Sequence, residues 1–125
     1  ENVWFATPNT GNTIDYQSGS NCYLINCSIN NPSSFNINIS HMNFKAPIGS
    51  VPYMCKTLTF WLPVGATVPA VTWNFPTDSA VYYPKGVAPT LTANANNIIN
   101  ILAIVNYESR FSIQVCDTVV LPYSG

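Results

Sequence analysis

The chain has 125 residues, the size of one domain and too few for two independent hydrophobic cores. Only 7% of its residues are charged, against about 25% in a typical globular protein. With four Lys and Arg and a formal net charge of -1, the sequence lacks the clustered positive charge that binds a nucleic-acid backbone. It also lacks the roughly 20 consecutive apolar residues that cross a bilayer, so neither nucleic acid nor membrane insertion is expected.

No linker or internal repeat interrupts the sequence, so we expect residues 1–125 to form a single domain. The first residue is Glu1 and not Met, so the sequence could be a fragment of a longer chain or a processed product, and both interpretations stay open. Asn, Ser and Thr recur throughout, as in residues 30–34 (NNPSS) and 94–97 (NANN), and predict a neutral, hydrogen-bonding surface. Because so low a net charge gives little repulsion between copies, we expect the chain to belong to an assembly.

Three segments alternate between apolar and polar residues, which is typical of strands with one buried and one solvated face. They are residues 35–39 (FNINI), 57–62 (TLTFWL) and 111–116 (FSIQVC). Residues 98–105 are apolar at nearly every position and predict a central strand that is covered on both faces, in mid-sheet or against a partner chain. The residues expected in the core are Leu58, Phe60, Leu62, Ile101, Ala103, Phe111, Ile113 and Val115.

Turn-forming residues set the fold class. Ten Pro and six Gly punctuate the chain, and between residues 63 and 89 they leave room only for short strands, edges and turns. Residues with high helix propensity are scarce, and no apolar stripe recurs at helical period. The sequence therefore predicts an all-β fold, an antiparallel β-sandwich or jelly roll of short strands with little or no helix.

No group of residues forms a credible catalytic or metal site. A catalytic triad needs a histidine beside a nucleophile, and the one histidine, His41, is expected at a turn or strand end. The acidic residues are scattered singly, without metal-ligand spacing: Glu1, Asp15, Asp78, Glu108 and Asp117. Phosphate-binding loops and nucleophile elbows are also missing. We therefore expect no enzyme activity, no cofactor and no metal.

The four cysteines are Cys22, Cys27, Cys55 and Cys116, too few for the disulfide framework of small secreted domains. Free thiols that behave as small hydrophobic residues are favoured, although disulfides stay open because connectivity is not readable from sequence. Zinc binding by these cysteines, with or without His41, is not expected because the first pair is loosely spaced and no second close pair follows.

The second half of the chain resembles a domain recurrent at the distal ends of bacteriophage tail fibres and in related virion proteins. In that family a VTWP-like strand end is followed by VKWPGGTAPTL, an Asp-hydrophobic run and a final aromatic-bearing strand. Here Tyr82 and Tyr83 stand where the family has Lys-Trp, Lys85 replaces the first Gly of the pair and Asn100 replaces Asp. The matching segments are residues 71–76 (VTWNFP), 81–91 (VYYPKGVAPTL), 100–104 (NILAI) and 110–113 (RFSI).

The resemblance implies a virion protein that is assembled in the host cytoplasm together with other virion proteins. It also implies a homo-oligomer, with a trimer favoured. Assembly in a reducing cytoplasm favours free thiols over disulfides. Two functions fit: a tail-fibre or adhesin domain that binds a host surface glycan or protein, and a capsid decoration, cement or tail building block that acts only through contacts with other subunits.

The loop from residue 74 to residue 90 is the expected receptor-binding surface. It is too rich in Pro and Gly for a regular strand, yet it carries Phe75, Tyr82, Tyr83 and Lys85. Loops on a rigid scaffold are where binding residues concentrate. Because neighbouring residues in an extended segment point to opposite sides, we expect one of the two tyrosines to be buried and the other exposed.

Overall fold

The computed structural model describes residues 3–42, 53–106, 108 and 110–122, so Glu1 lies outside the described residues. Within these ranges 53% of the residues lie in β-strands, and one 3₁₀ turn at Pro84–Gly86 is the helical part. The strands are β1 (Val3–Ala6), β2 (Thr13–Asp15), β3 (Cys22–Ile25), β4 (Ser34–Asn38), β5 (Tyr53–Val64), β6 (Ala70–Asn74), β7 (Ala80–Tyr82), β8 (Ala95–Asn106), β9 (Phe111–Val115) and β10 (Val119–Pro122). The predicted all-β class is confirmed.

The strands form a large and a small sheet. The large sheet has seven strands in the order β1-β3-β5-β8-β9-β7, with β10 also paired to β8, and the small sheet has the order β2-β4-β6. The first six strands alternate between the sheets, and each of β1 to β4 pairs in parallel with the strand two places later in the chain. The first part of the chain therefore winds as a parallel coil around the core.

Strand direction differs from the expected antiparallel arrangement. The small sheet is wholly parallel, and the antiparallel pairs all involve β8, which pairs with β5, β9 and β10. A parallel pair needs a long crossover, and here each crossover in the coil contains a strand of the other sheet. Two strands, β5 and β8, are also longer than expected, at 12 residues each.

Pro63 lies inside β5, although prolines in this region were expected to limit strand length. It stands opposite Asn96 of β8 near the end of the strand. Its carbonyl oxygen still accepts a hydrogen bond of 2.8 Å from the backbone N–H of Cys27. A proline loses only its donor, so a strand can continue through it where no acceptor requires that N–H.

The core lies between the two sheets, and the predicted core residues are confirmed: all eight have exposed fractions of 6% or less. Three aromatic rings join the sheets through it. Phe60 of β5 stacks on Tyr23 of β3, with ring centroids 4.8 Å apart, and meets Trp73 of β6 edge-on at 5.2 Å. Since Trp73 belongs to the small sheet and the other two rings to the large sheet, Phe60 holds the two layers together.

Strand β8 is central, as predicted from residues 98–105. It has β5 on one side and both β9 and β10 on the other. Its inward side chains are fully buried, whereas Ile98, Leu102 and Ile104 on the opposite face are only half-buried. The expectation that both faces are covered is therefore not met within the single chain.

All four cysteines are free thiols in the structure, and they differ in burial. Cys27 is buried in the core, and burial raises the pKa of its thiol from 9.0 to about 12. Cys55 is exposed on β5, while Cys22 and Cys116 are half-buried. The buried thiol therefore stays protonated over the range in which an unfolded chain would ionise it.

The raised pKa of the Cys27 thiol predicts that the folded chain loses stability at alkaline pH. Above its ordinary pKa of 9.0, the Cys27 thiol ionises in the unfolded chain but not in the folded one, so the unfolded state gains stability as pH rises toward about 12. The expected slope is about 1.4 kcal/mol per pH unit for one such group. Urea unfolding at a series of pH values should show a shallower decline for Cys27→Ala than for the native chain. Cys55→Ala serves as the control and should keep the native slope, and equal slopes for all three proteins would contradict the prediction.

Candidate functional site

The predicted loop connects the two sheets and is ordered along its length. After β6 it makes a turn that is closed by a hydrogen bond of 3.2 Å, donated by the Ser79 N–H to the carbonyl of Pro76. It then forms the short edge strand β7, which pairs in parallel with β9, and continues into the 3₁₀ turn at Pro84–Gly86. From there it runs to the start of β8 at Ala95. We call residues 82–92 of this connection the anchored loop.

The two tyrosines point to opposite sides, as their adjacency in an extended segment predicted. Tyr82 is 63% exposed on the outer side of β7. Tyr83 is half-buried against the core and meets Phe75 edge-on, with ring centroids 6.3 Å apart. Phe75 and Tyr83 therefore support the loop from below, and Tyr82 is the ring available to a partner.

Lys85 stands at the tip of the 3₁₀ turn in an unusual backbone conformation. Its φ of +58° lies in the left-handed region, which a residue with a Cβ enters at a cost of about 1 to 2 kcal/mol. The turn is closed by the Gly86 N–H, which donates to the carbonyl of Tyr83 at 3.1 Å. An exposed lysine held in a position that favours glycine is a candidate for a functional role.

Two shallow hollows flank the anchored loop. The first, of about 190 Å³, is lined by apolar residues such as Pro84, Val87 and Val120, by threonines, and by the charged residues Lys85 and Asp117. The second, of about 340 Å³, lies on the other side of Pro89. Apolar walls with a few polar groups suit a small polar ligand, because the walls exclude water and the polar groups set its orientation.

Asn97 fixes the end of the anchored loop. Its side chain is 0% exposed. Its Oδ1 accepts a hydrogen bond from the Thr92 N–H at 2.8 Å, and its Nδ2 donates to the Thr92 carbonyl at 3.1 Å and to the Leu62 carbonyl at 3.3 Å. Nearby, the hydroxyl of Thr118 donates to the Thr90 carbonyl at 3.0 Å. The loop is thus tied to both β8 and the connection between β9 and β10.

The sequence-based reasoning missed these anchors. Residues 94–97 were expected to form part of a neutral surface, and that interpretation is wrong for Asn97, which is buried. The signal was present, because Asn96 and Asn97 are adjacent in a strand and must point to opposite faces. Asp117 and Thr118 gave no comparable signal, since only the fold brings them to the loop.

The remaining polar candidates lie apart from one another. His41 is exposed in a turn shortly after β4, and Asp78 is a turn residue with a φ of +61°. Among the described residues no three His, Cys, Asp or Glu side chains are grouped so that they could hold a metal ion. The predicted site residues divide into a half-buried pair, Phe75 and Tyr83, and an exposed pair, Tyr82 and Lys85.

Fold and site define an all-β module with one anchored loop that carries an exposed tyrosine, a strained lysine and a flanking hollow. Comparisons of the chain with family models, with curated proteins and with solved structures find no match. Within the part of the chain that the structure describes, no helix is long and apolar enough to cross a membrane. The functional argument therefore starts from the loop and from the outer surfaces of the sheets.

Proposed function

We propose that this chain is a non-enzymatic recognition module of a virion, a tail-fibre or adhesin domain of bacteriophage type that binds a host surface glycan or protein through the anchored loop. The observation that carries the proposal is the exposed ring of Tyr82 beside Lys85, on a loop pinned by the buried Asn97. The resemblance of residues 81–91 to fibre-tip domains supports the virion context.

The chemistry of the loop supports recognition. A tyrosine offers a large, rigid, amphipathic surface that loses little conformational entropy when it is bound. Lys85 and Asp117 add one positive and one negative group to the lining of the adjacent hollow, which suits the hydroxyl groups of a glycan or the polar edge of a protein. Because the loop is already fixed by side-chain hydrogen bonds, less ordering cost opposes binding.

A building-block role, as a capsid decoration, cement or tail protein, is the second candidate. It is favoured by a different observation, the exposed apolar side chains on the large sheet, among them Phe5, Trp61 and Val119. Both candidates place the chain in a virion assembled in the host cytoplasm, as a homo-oligomer with a trimer favoured, next to other virion proteins. They differ in whether the anchored loop contacts the host.

Replacement of Tyr82 by Ala tests the recognition proposal. We expect it to weaken binding by about 1 to 3 kcal/mol, as for an important interface residue, because it removes the exposed ring. Stability to urea should stay nearly native, since the ring is mostly in solvent. Tyr83→Ala should instead lower stability by about 2 kcal/mol, because it removes a half-buried ring from Phe75. Binding is measured on a glycan array and on a panel of intact bacteria.

Lys85→Gly is a second test variant in the same loop. It removes a charged side chain and also relieves the left-handed strain, so it should fold at least as stably as the native chain. If Lys85 contacts the partner, this stable variant should bind more weakly. A native protein that binds no cell or glycan, or a stable Tyr82→Ala protein with native binding, would defeat the adhesin role and leave the building-block role.

A further inference from the structure

The outer face of the large sheet carries a continuous apolar row. Strand register brings Phe5 beside Leu24, Leu24 beside Trp61, Trp61 beside Ile98, and Ile98 beside Val119. Because paired residues in a sheet share a face, these five side chains lie side by side across five strands. Phe5, Trp61 and Val119 are 67%, 42% and 49% exposed. We call these five residues, Phe5, Leu24, Trp61, Ile98 and Val119, the apolar row.

The rest of this outer face is uncharged. Half-buried Leu102 and Ile104 extend the apolar surface along β8, and Thr57, Thr59 and Gln114 fill the positions between. Among the described residues of these seven strands, every outward-pointing side chain is neutral. The lysine of β5, Lys56, lies on the core side, where its Nζ donates to the hydroxyl of Tyr16 at 3.3 Å.

The small sheet provides an internal comparison. Its outer face is a polar ladder in which Asn36 Nδ2 donates to Thr13 Oγ1 at 3.4 Å and Asn38 Nδ2 donates to Asp15 Oδ1 at 3.1 Å. Thr72 of β6 lies beside Asn36 on the same face. The same chain thus builds a solvated face on one sheet and an apolar one on the other. Contiguous exposed apolar surface of this kind marks an interaction site.

The size of the face fits association between proteins. With about 3.4 Å per residue along a strand and about 4.8 Å between strands, β1, β3, β5, β8 and β10 together cover on the order of 600 Å². A standard stable interface buries about 800 Å² on each partner. The outer face therefore supplies most of one side of such an interface.

The absence of charge on the outer face of the large sheet indicates which partner would fit it. A face without charge offers nothing to attract a charged partner, and it meets a second copy of itself without like-charge repulsion and without the cost of stripping water from ions. We propose that the outer face over β1, β3, β5, β8 and β10 is buried against a second copy of this chain, with the apolar row at the centre of the contact and Tyr82 of β7 at the edge outside it. This inference rests on the proposed homo-oligomer and names one interface in it: a face that meets its own copy makes a two-fold contact, so it predicts a dimer and not the trimer that the resemblance favours.

The proposed contact between two copies also predicts that the Cys55 thiol is protected from labelling reagents. Cys55 is exposed and lies on the outer side of β5, opposite Ile104 of β8 and on the same face as Trp61. In a dilute monomer its thiol should react freely with a maleimide. In the assembled protein the partner copy should cover it and slow the reaction by roughly 10-fold or more.

Trp61→Asp tests the interface in the full chain, because it places a charge at the centre of the apolar row. We expect the native protein to be oligomeric at micromolar concentration by multi-angle light scattering, with little change on adding salt since there are few ion pairs to screen. Trp61→Asp should raise the dissociation constant roughly 30-fold or more, as a central contact does. Thr72→Asp puts the same charge on the polar outer face of the small sheet and should keep the native oligomeric state.

The outcomes separate the interface from the recognition proposal. A native protein that is monomeric, or a folded Trp61→Asp protein that assembles as the native chain does, overturns the interface. If Trp61→Asp does not fold, Cys55 of the native chain decides the matter, and a labelling rate independent of protein concentration overturns it. A monomer that still binds cells through Tyr82 would remove the interface and leave the recognition proposal intact.

Discussion

Phe60→Ala is expected to lower the free energy of unfolding by about 3 to 5 kcal/mol, the range for a fully buried aromatic side chain. The ring is 1% exposed and contacts both Tyr23 and Trp73, so its loss removes packing from both sheets at once. The surrounding residues cannot collapse easily into the space, because they belong to two different layers. Urea unfolding followed by tryptophan fluorescence measures the loss, since Trp73 lies at the contact.

Phe60→Leu is the matched variant for this prediction. It keeps most of the apolar volume while removing the ring stacking, so it should cost about 1 to 2 kcal/mol. An alanine variant that loses less than the leucine variant would contradict the structure, because Phe60 would then not join the two sheets.

Asn97→Ala is expected to lower stability by about 2 to 4 kcal/mol and to loosen the anchored loop. The substitution leaves the Thr92 N–H and carbonyl without their side-chain partners, and unsatisfied groups near the core cost about 1 to 3 kcal/mol each. Hydrogen exchange should show faster exchange of the Thr92 amide. The neighbouring Asn96→Ala is the control, since Asn96 points to the other face and should change stability by about 0.5 kcal/mol or less.

Equal effects of the two asparagine variants would contradict the role assigned to Asn97. The experiment also reports on recognition, because a loosened loop must be ordered again when it binds. If Tyr82 acts through a fixed loop, Asn97→Ala should weaken cell binding even under conditions where the domain stays folded.

Inward and outward positions could be predicted from the sequence because alternation depends only on the pleat of a single strand. In segments 57–62 and 111–116 the alternate apolar residues lie in the core, whatever strands they pair with: Leu58, Phe60, Leu62, Phe111, Ile113 and Val115. The same local rule predicted that Tyr82 and Tyr83 point to opposite sides, and the structure shows that Tyr82 is the exposed one. These features need no knowledge of the rest of the chain.

Strand direction could not be predicted in the same way. An isolated segment such as β4 has the same pattern of apolar residues in a parallel and in an antiparallel sheet. Its partners, β2 and β6, are set by how the loops close, and the sequence carries no local mark of that closure. The expectation of mainly antiparallel sheets came from the one solvated face of the alternating segments and from the many turn residues, and it is corrected by the parallel coil.

Only the part of the candidate site whose residues are close together in the sequence could be predicted. Phe75, Tyr82, Tyr83 and Lys85 are close in sequence, so one Pro- and Gly-rich segment identified them. The lining residue Asp117 comes from the β9–β10 connection, more distant in the chain, and it reaches the hollow only through the pairing of β10 with β8. Sites assembled from separate segments require the fold before they can be recognised.

The parallel coil has a consequence for the speed and order of folding. Its strands pair across long stretches of chain, as Cys22 does with Thr59, so each pairing must first close a large loop. The hairpin of β8 and β9 closes far more locally, with Val105 opposite Phe111, and is the natural nucleus. We therefore expect the C-terminal half to form first and the N-terminal coil to add slowly onto the edge of β5. During that interval the apolar row is incomplete and its strand edges are open, which is when the chain is most prone to aggregate.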